Sequence, residues 1–192
     1  TTSNRKVATV SAAGEVRAKK AGTCKITALV GETKLKCKVT VQKKGATIVP
    51  MNKLARYSYF LKYMSYSQFQ KAYKKAYKLL LPLEGLSKKE QLVGIASVLR
   101  DYYEKYMSYS MKAAHYNDPY GYLILKTASC AGCVRTTGMM LNMLGIKYEH
   151  INENQYRHQW ARVKVGKQYW ICDAYGLYCG PEPAVRKHPY LN

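Results

Sequence analysis

Residues 126–146 read Lys-Thr-Ala-Ser-Cys-Ala-Gly-Cys-Val-Arg-Thr-Thr-Gly-Met-Met-Leu-Asn-Met-Leu-Gly-Ile, and the rest of the chain is organised around them. From Cys130 onward Val134, Leu141 and Leu144, with Met140 beside them, recur at helical spacing. Gly145 stands where a helix stops, and Ser129 where its N-cap belongs. Cys130 therefore falls in the first turn of a buried helix. There the unpaired N–H groups and the helix dipole favour a thiolate. Cysteines at such positions are more often packed small hydrophobes than nucleophiles, so the partners of Cys130 decide the reading.

They follow in order. Gln159–Val165 alternates apolar and polar residues with His158 at its head, which predicts a strand. Gly166-Lys167 has the signature of a two-residue type II′ turn, and Gln168–Asp173 runs back. The turn pairs Val165 with Gln168 and carries Asp173 to the position opposite Trp160. His158 lies two residues from that position on the same face, a diagonal separation of about 7–8 Å that an imidazole and a carboxylate can span. A cysteine at a helix start, a histidine on a strand and an aspartate on the next strand are the parts of a nucleophile, base and orienter set.

The stretches Cys-Ala-Gly-Cys-Val (130–134), Leu-Gly-Ile (144–146), His-Gln-Trp (158–160) and Tyr-Trp-Ile-Cys-Asp (169–173) resemble the transglutaminase-like superfamily of papain-like cysteine enzymes. The family pattern is Cys-x-Gly-aromatic-Ala on a helix, His-x-Trp on a strand, and an aromatic-rich strand ending in Asp. By that resemblance Cys130 matches the nucleophile, His158 the general base and Asp173 the orienter. Cys133 stands where an aromatic is usual, and Ala174 follows Asp173 where proline is common. The resemblance implies an α+β fold with the nucleophile helix packed on an antiparallel sheet, and no cofactor or metal. It also implies an upstream donor to the oxyanion, for which Tyr122 or Tyr120 is the candidate. Trp160 is expected to wall the site.

At 192 residues and 47% hydrophobic content, the chain can form one ordinary domain and a small module. No apolar run approaches the ~20 residues of a membrane span. The chain begins without an initiator Met or a signal peptide, which suggests a processed or excised piece. The net charge of +21 is spread throughout: residues 1–44 hold 11 Lys and Arg against 2 acids, leaving 21 against 9 in 45–192. Such a charge favours polyanions, among them anionic cell-wall polymers, or simply keeps the surface soluble. No nucleic-acid-binding motif accompanies it, so no specific nucleic-acid partner is expected.

Residues 1–44 form a separate module. Val7–Val10, Gly14–Val16, Cys24–Ala28 and Leu35–Val41 alternate apolar residues with Lys and Thr between turn residues, which predicts short half-buried antiparallel strands. Ser-Asn-Arg-Lys-Val-Ala-Thr-Val-Ser (3–11), Val-Arg-Ala-Lys-Lys-Ala-Gly-Thr (16–23) and Cys-Lys-Val-Thr-Val (37–41) resemble the second half of the bacterial immunoglobulin-like domain, group 2. The expected module is thus a partial β-sandwich, and the resemblance implies an extracellular or cell-surface setting in a bacterium. Residues 45–50 read as a linker and 51–192 as the transglutaminase-like domain.

Between linker and nucleophile the pattern predicts a helix capped by Ser67 and running through Leu80, with Phe69, Tyr73, Ala76, Tyr77 and Leu80 on one face. A second helix opens at the capping box Ser87-Lys-Lys-Glu90 and carries Leu92, Ile95, Ala96 and Leu99 inward. The phrase Lys-Tyr-Met-Ser-Tyr-Ser occurs at 62–67 and at 105–110, an echo rather than a repeat architecture. The 19 tyrosines are amphipathic cover or the lining of a groove. His115, His150 and His188 are read as structural.

Six cysteines leave several pairings open. Cys24 and Cys37, on adjacent strands, are a disulfide or two buried thiols, and a Cys172–Cys179 bridge is a second candidate. Zinc held by Cys130, Cys133, Cys172 and Cys179 is disfavoured, because the second half lacks the usual spacing. Cys133 beside the nucleophile suggests reversible oxidation of Cys130. The expected function is extracellular acyl transfer on protein or peptide amides through Cys130, His158 and Asp173, as protease, amidase or transglutaminase. The alternative is a catalytically silent module for adhesion or wall binding.

Overall fold

The computed structural model describes residues 1–41 and 48–183. The chain divides into two compact units, Thr1–Gly45 and Ala46–Asn192. Residues 45–47 of the expected linker, and His188 with the tail around it, lie outside the described residues.

The first unit is built from β1 (Ala8–Val10), β2 (Val16–Ala18), β3 (Gly22–Val30) and β4 (Thr33–Val41). β1 pairs with β2 and β3 with β4, both antiparallel. Gly31 takes φ 58°, the left-handed conformation needed to close the tight Val30–Thr33 turn. Val7, Ala8 and Cys24 make a small core, with Ile26, Val39 and Val41 packed on it. Of the two alternatives open to Cys24 and Cys37, a bridge or two buried thiols, neither is met in full. The register sets Cys24 against Val39 and Cys37 against Ile26, and both are free thiols, Cys24 buried and Cys37 exposed.

The second unit mixes helices and strands. After the short helix α1 (Tyr57–Phe60) come α2 (Tyr66–Leu80) and α3 (Lys88–Tyr106). α2 begins two residues earlier than its sequence suggests: Ser65, not Ser67, is the N-cap, in a reciprocal capping box with Gln68. Its buried face is Phe69, Ala72, Ala76 and Leu80, while Tyr77 is exposed. α3 opens on the Ser87/Glu90 capping box and buries Leu92, Ile95, Ala96, Leu99 and Tyr102. A cap of this kind satisfies two of the N–H groups that every helix start leaves unpaired.

Beyond α3, β5 (Ser108–Tyr109) runs parallel to β6 (Thr127–Ala128), with a π-helical turn at Gly121–Leu125 between them. α4 (Cys130–Met143) follows, and then β7 (Glu149–Ile151), β8 (Trp160–Val165), β9 (Gln168–Asp173) and β10 (Tyr178–Pro181). These last four form one antiparallel sheet in the order β10-β9-β8-β7. The core of this unit runs from Ile48 through the helices to Ala161, Val163 and Cys172, and nearly every residue of α4 is buried.

Candidate active site

α4 is positioned by its two ends. At the C-terminal end Gly145 takes φ 72°, its N–H donates to Asn142 O at 3.0 Å, and Ile146 N–H donates to Leu141 O at 2.9 Å. That is a Schellman stop. At the N-terminal end Ser129 is extended as an N-cap should be, but its side chain makes no capping bond. Its hydroxyl donates instead to Tyr116 O at 3.3 Å, and its N–H donates to the same oxygen at 2.7 Å. The first turn is pressed so closely on this strand of chain that a Cβ at Gly132 would lie 2.6 Å from Tyr116 O. The glycine of Cys-Ala-Gly-Cys is therefore a packing requirement, and it fixes where Cys130 stands.

The β8–β9 hairpin supplies the partners. Gly166 has φ 62° while Lys167 is not left-handed, as a type II′ turn requires, and the ladder runs from Val165↔Gln168 to Ala161↔Cys172. His158 sits just before β8 and Asp173 ends β9. His158 Nε2 and Asp173 Oδ2 are 2.5 Å apart, with the two side chains 6% and 2% exposed. Cys130 lies beside the same ring, and its sulfur is within the influence of His158 and of the backbone N–H groups of Gln159 and Ala131.

The electrostatics follow from these contacts. Burial opposes a charged thiolate, but the hydrogen bond from His158, the Gln159 N–H, the imidazolium charge and the Ala131 N–H outweigh it, and the Cys130 thiol is held below its ordinary range. Burial likewise opposes a charged imidazole. The hydrogen bonds and negative charges of Asp173 and Cys130 prevail, raising His158 from 6.5 to about 9. The two charged forms, thiolate and imidazolium, stabilise each other.

Trp160 flanks the site. Its ring stacks on the imidazole at 6.2 Å and 21°, while Tyr175 lies on His158 at 5.8 Å. Tyr122 is not brought to the site. It is fully buried, its hydroxyl donates to Leu99 O at 2.7 Å, and Tyr102 returns a bond to Leu123 O at 2.8 Å. The two bonds lock the π-helical turn onto α3, so the phenol expected to serve an oxyanion holds the core instead. Tyr120 is half-buried, with its ring against His115.

Cys130 and His158 open onto a cavity of about 760 Å³ whose walls include Tyr109, Tyr116, Tyr156 and Tyr175. Part of the tyrosine content thus lines a groove. Arg135, five residues beyond Cys130, is a functional candidate with no sequence signal of its own. Although charged it is only 2% exposed, and it bonds Tyr59 Oη at 2.8 Å, Asn117 O at 2.9 Å, Tyr63 Oη at 3.0 Å and Asn154 Oδ1 at 3.3 Å. Glu153 lies 3.6 Å away and accepts a short hydrogen bond from Tyr59. One guanidinium therefore ties α4 to the loop that leads into His158.

His150 and His115 hold structure. His150 bonds Gln159 Oε1 at 2.7 Å, and burial pushes the ring down to about 4, so it stays neutral. His115 is clamped between Asp118, at 2.6 Å, and Gln68, at 2.8 Å. Among the described residues no cluster of His, Cys, Asp and Glu could hold a metal ion, and no helix is long and apolar enough to cross a membrane. Cys133 is buried, and burial pushes its thiol up.

Residues 1–41 match the family model of the bacterial Ig-like domain (group 2). Compared with curated proteins, the chain has no match.

Proposed function

We propose that Ala46–Asn192 is a papain-like, transglutaminase-like cysteine acyltransferase that cleaves or exchanges amide bonds. The observation that carries this reading is the continuous contact from Cys130 through His158 to Asp173, set at the wall of an open cavity. The Cys130 thiolate attacks the amide carbonyl carbon, and the electron pair of the carbonyl moves to its oxygen. His158 then gives a proton to the departing amine, leaving an acyl-thioester on Cys130. Water, deprotonated by His158, hydrolyses the thioester; an amine in its place gives transamidation. Asp173 keeps the imidazole charged and turned toward the sulfur. The Trp160 ring stacks beside the imidazole and the Tyr175 ring packs on it at a tilt.

The test is alkylation of Cys130 by iodoacetamide across pH, followed by mass spectrometry, in the intact protein and in His158→Ala. The expected result is rapid labelling of Cys130 below the ordinary thiol range, lost in His158→Ala. Labelling no faster than that of an ordinary thiol would sink the enzyme reading. A screen of glutaminyl and peptidoglycan-peptide amides then separates hydrolysis from transfer.

A second reading is supported by the Ig-like match over residues 1–41, since such domains are typical of bacterial surface or extracellular proteins. With the net charge of +21, it makes the chain a surface module that binds anionic wall polymer. Salt-sensitive polymer binding that survives Cys130→Ala, with no turnover of any amide, would favour it over the enzyme.

A further inference from the structure

Cys172 and Cys179 stand directly opposite each other on β9 and β10. The kind of pair they form can be worked out from their neighbours. Glu182 N–H donates to Tyr169 O at 2.9 Å, and Pro181, opposite Trp170, has no N–H to give. Hydrogen-bonded and non-hydrogen-bonded pairs alternate along an antiparallel ladder. Trp170–Pro181 is therefore a non-hydrogen-bonded pair, Ile171–Gly180 a hydrogen-bonded one, and Cys172–Cys179 non-hydrogen-bonded again. In such a pair the Cα atoms are about 4.5 Å apart and the side chains leave the sheet on the same face. A disulfide bridges Cα atoms from about 4.4 to 6.8 Å apart.

Access to the two sulfurs is unequal. Cys172 is 1% exposed and packs on α3, its sulfur 3.5 Å from Leu92 O. Cys179 is half-buried and lines a cleft of about 290 Å³ together with Ser97, Arg100 and Leu177. A small oxidant can reach Cys179 alone. Both residues are thiols in the structure, and the neighbouring Cys179, with burial, pushes the Cys172 thiol up.

We propose that Cys172 and Cys179 form a cross-strand disulfide in an oxidising setting, with Cys179 as the thiol that meets the oxidant. The Cys179 thiolate attacks a small disulfide of the glutathione class, forming a mixed disulfide and expelling one thiolate. Cys172, its proton passing to solvent, then attacks the Cys179 sulfur and expels the second thiolate. The two protein thiols lose two electrons, and the small disulfide gains them as two thiols.

The bridge closes the loop 172–179 one pair below Asp173↔Tyr178. That loop carries Asp173, the Gly176 N–H that donates to Asp173 Oδ1 at 2.9 Å, and Tyr175, whose ring lies on His158. The disulfide is thus a staple for the turn that shapes one wall of the cavity. It stands independently of the reaction assigned to that cavity.

The test is incubation of the whole chain with oxidised glutathione at mildly alkaline pH, alkylation in denaturant, and tryptic mapping. Both cysteines fall in the single peptide that begins at Gln168. The expected peptide is lighter by two hydrogens and takes up no alkylating agent until it is reduced, and in Cys179→Ser the remaining Cys172 is alkylated in full. Oxidation should also raise the thermal midpoint by about 5 °C or more, reversibly with dithiothreitol. A peptide alkylated at both cysteines, separate glutathione adducts, or a bridge from either residue to Cys130 or Cys133 would overturn the pairing. A bridge that forms without moving the midpoint would overturn the staple.

Discussion

Replacing Asp173 by Asn removes one negative charge while keeping the side chain's shape. Burial alone would hold the His158 ring neutral, yet it is raised from 6.5 to about 9 because Asp173 and Cys130 both bond it and both carry negative charge. At ~1.4 kcal/mol per pH unit, the charged ring is favoured by about 3 kcal/mol net of burial. Asp173 makes the stronger contact, at 2.5 Å between two buried side chains. Assigning it half or more of the effect, Asp173→Asn should lower the His158 titration midpoint by at least about one pH unit. The thiolate loses part of its counter-charge in turn, so the alkylation midpoint of Cys130 should move to higher pH.

The same shift makes a statement about stability. A ring raised above its unfolded value stabilises the fold fully below about pH 6.5, and that contribution is lost as pH rises through about 9. Urea unfolding should show the gap between wild type and Asp173→Asn widest below pH 6.5 and narrowing toward pH 9. Proton NMR of the histidine rings, with His158→Ala for assignment, reads the titration directly. Superimposable His158 titrations in wild type and Asp173→Asn would refute the reasoning, as would a wild-type midpoint near 6.5.

Three further outcomes are expected. Gly132→Ala places a Cβ 2.6 Å from Tyr116 O, which cannot retreat without moving Ser129, so stability should fall by about 3 kcal/mol and Cys130 alkylation should slow; an unchanged thermal midpoint would count against the packing argument. Arg135→Met leaves Asn117 O without its donor and Glu153 with Arg56 as its remaining cation, a loss of about 2–3 kcal/mol in urea unfolding, and a loss under about 1 kcal/mol would show that the guanidinium is not the tie between α4 and the His158 loop. Ser87→Ala removes one capping box and should cost about 1 kcal/mol by thermal unfolding, with Cys130 reactivity unaffected; a larger loss, or slower alkylation, would show that α3 is coupled to the site.

The local parts of this protein were legible because their causes lie within a few residues. The stop of α4 at Gly145, the capping box of Ser87 and Glu90, and the Gly166-Lys167 turn are each decided by backbone conformation and side chains at most three positions away. The hairpin register carried the His158–Asp173 pairing with it, since strand alternation is a short-range rule. The hexapeptide Lys-Tyr-Met-Ser-Tyr-Ser marks the limit of such rules. At 62–67 it starts a helix, because Gln68 completes a capping box with Ser65; at 105–110 it ends α3 and enters β5, because Ser108 N–H finds Lys126 O at 3.1 Å.

Tertiary structure alone decided the rest. Arg135 carries no sequence signal of its own; only when α4 is packed do Tyr59 and Tyr63, 76 and 72 positions earlier in the chain, come to bond it. Tyr122 reads as a candidate at the site until the π-helical turn points its hydroxyl at Leu99. Both outcomes depend on which distant backbone is within hydrogen-bond reach once the core closes, and no local pattern encodes that distance. The sequence by itself determined α4, the hairpin and the side chains that stand at their ends. The fold decided what lines the cavity between them, because burying a polar side chain is favourable only where its partners have already been brought together.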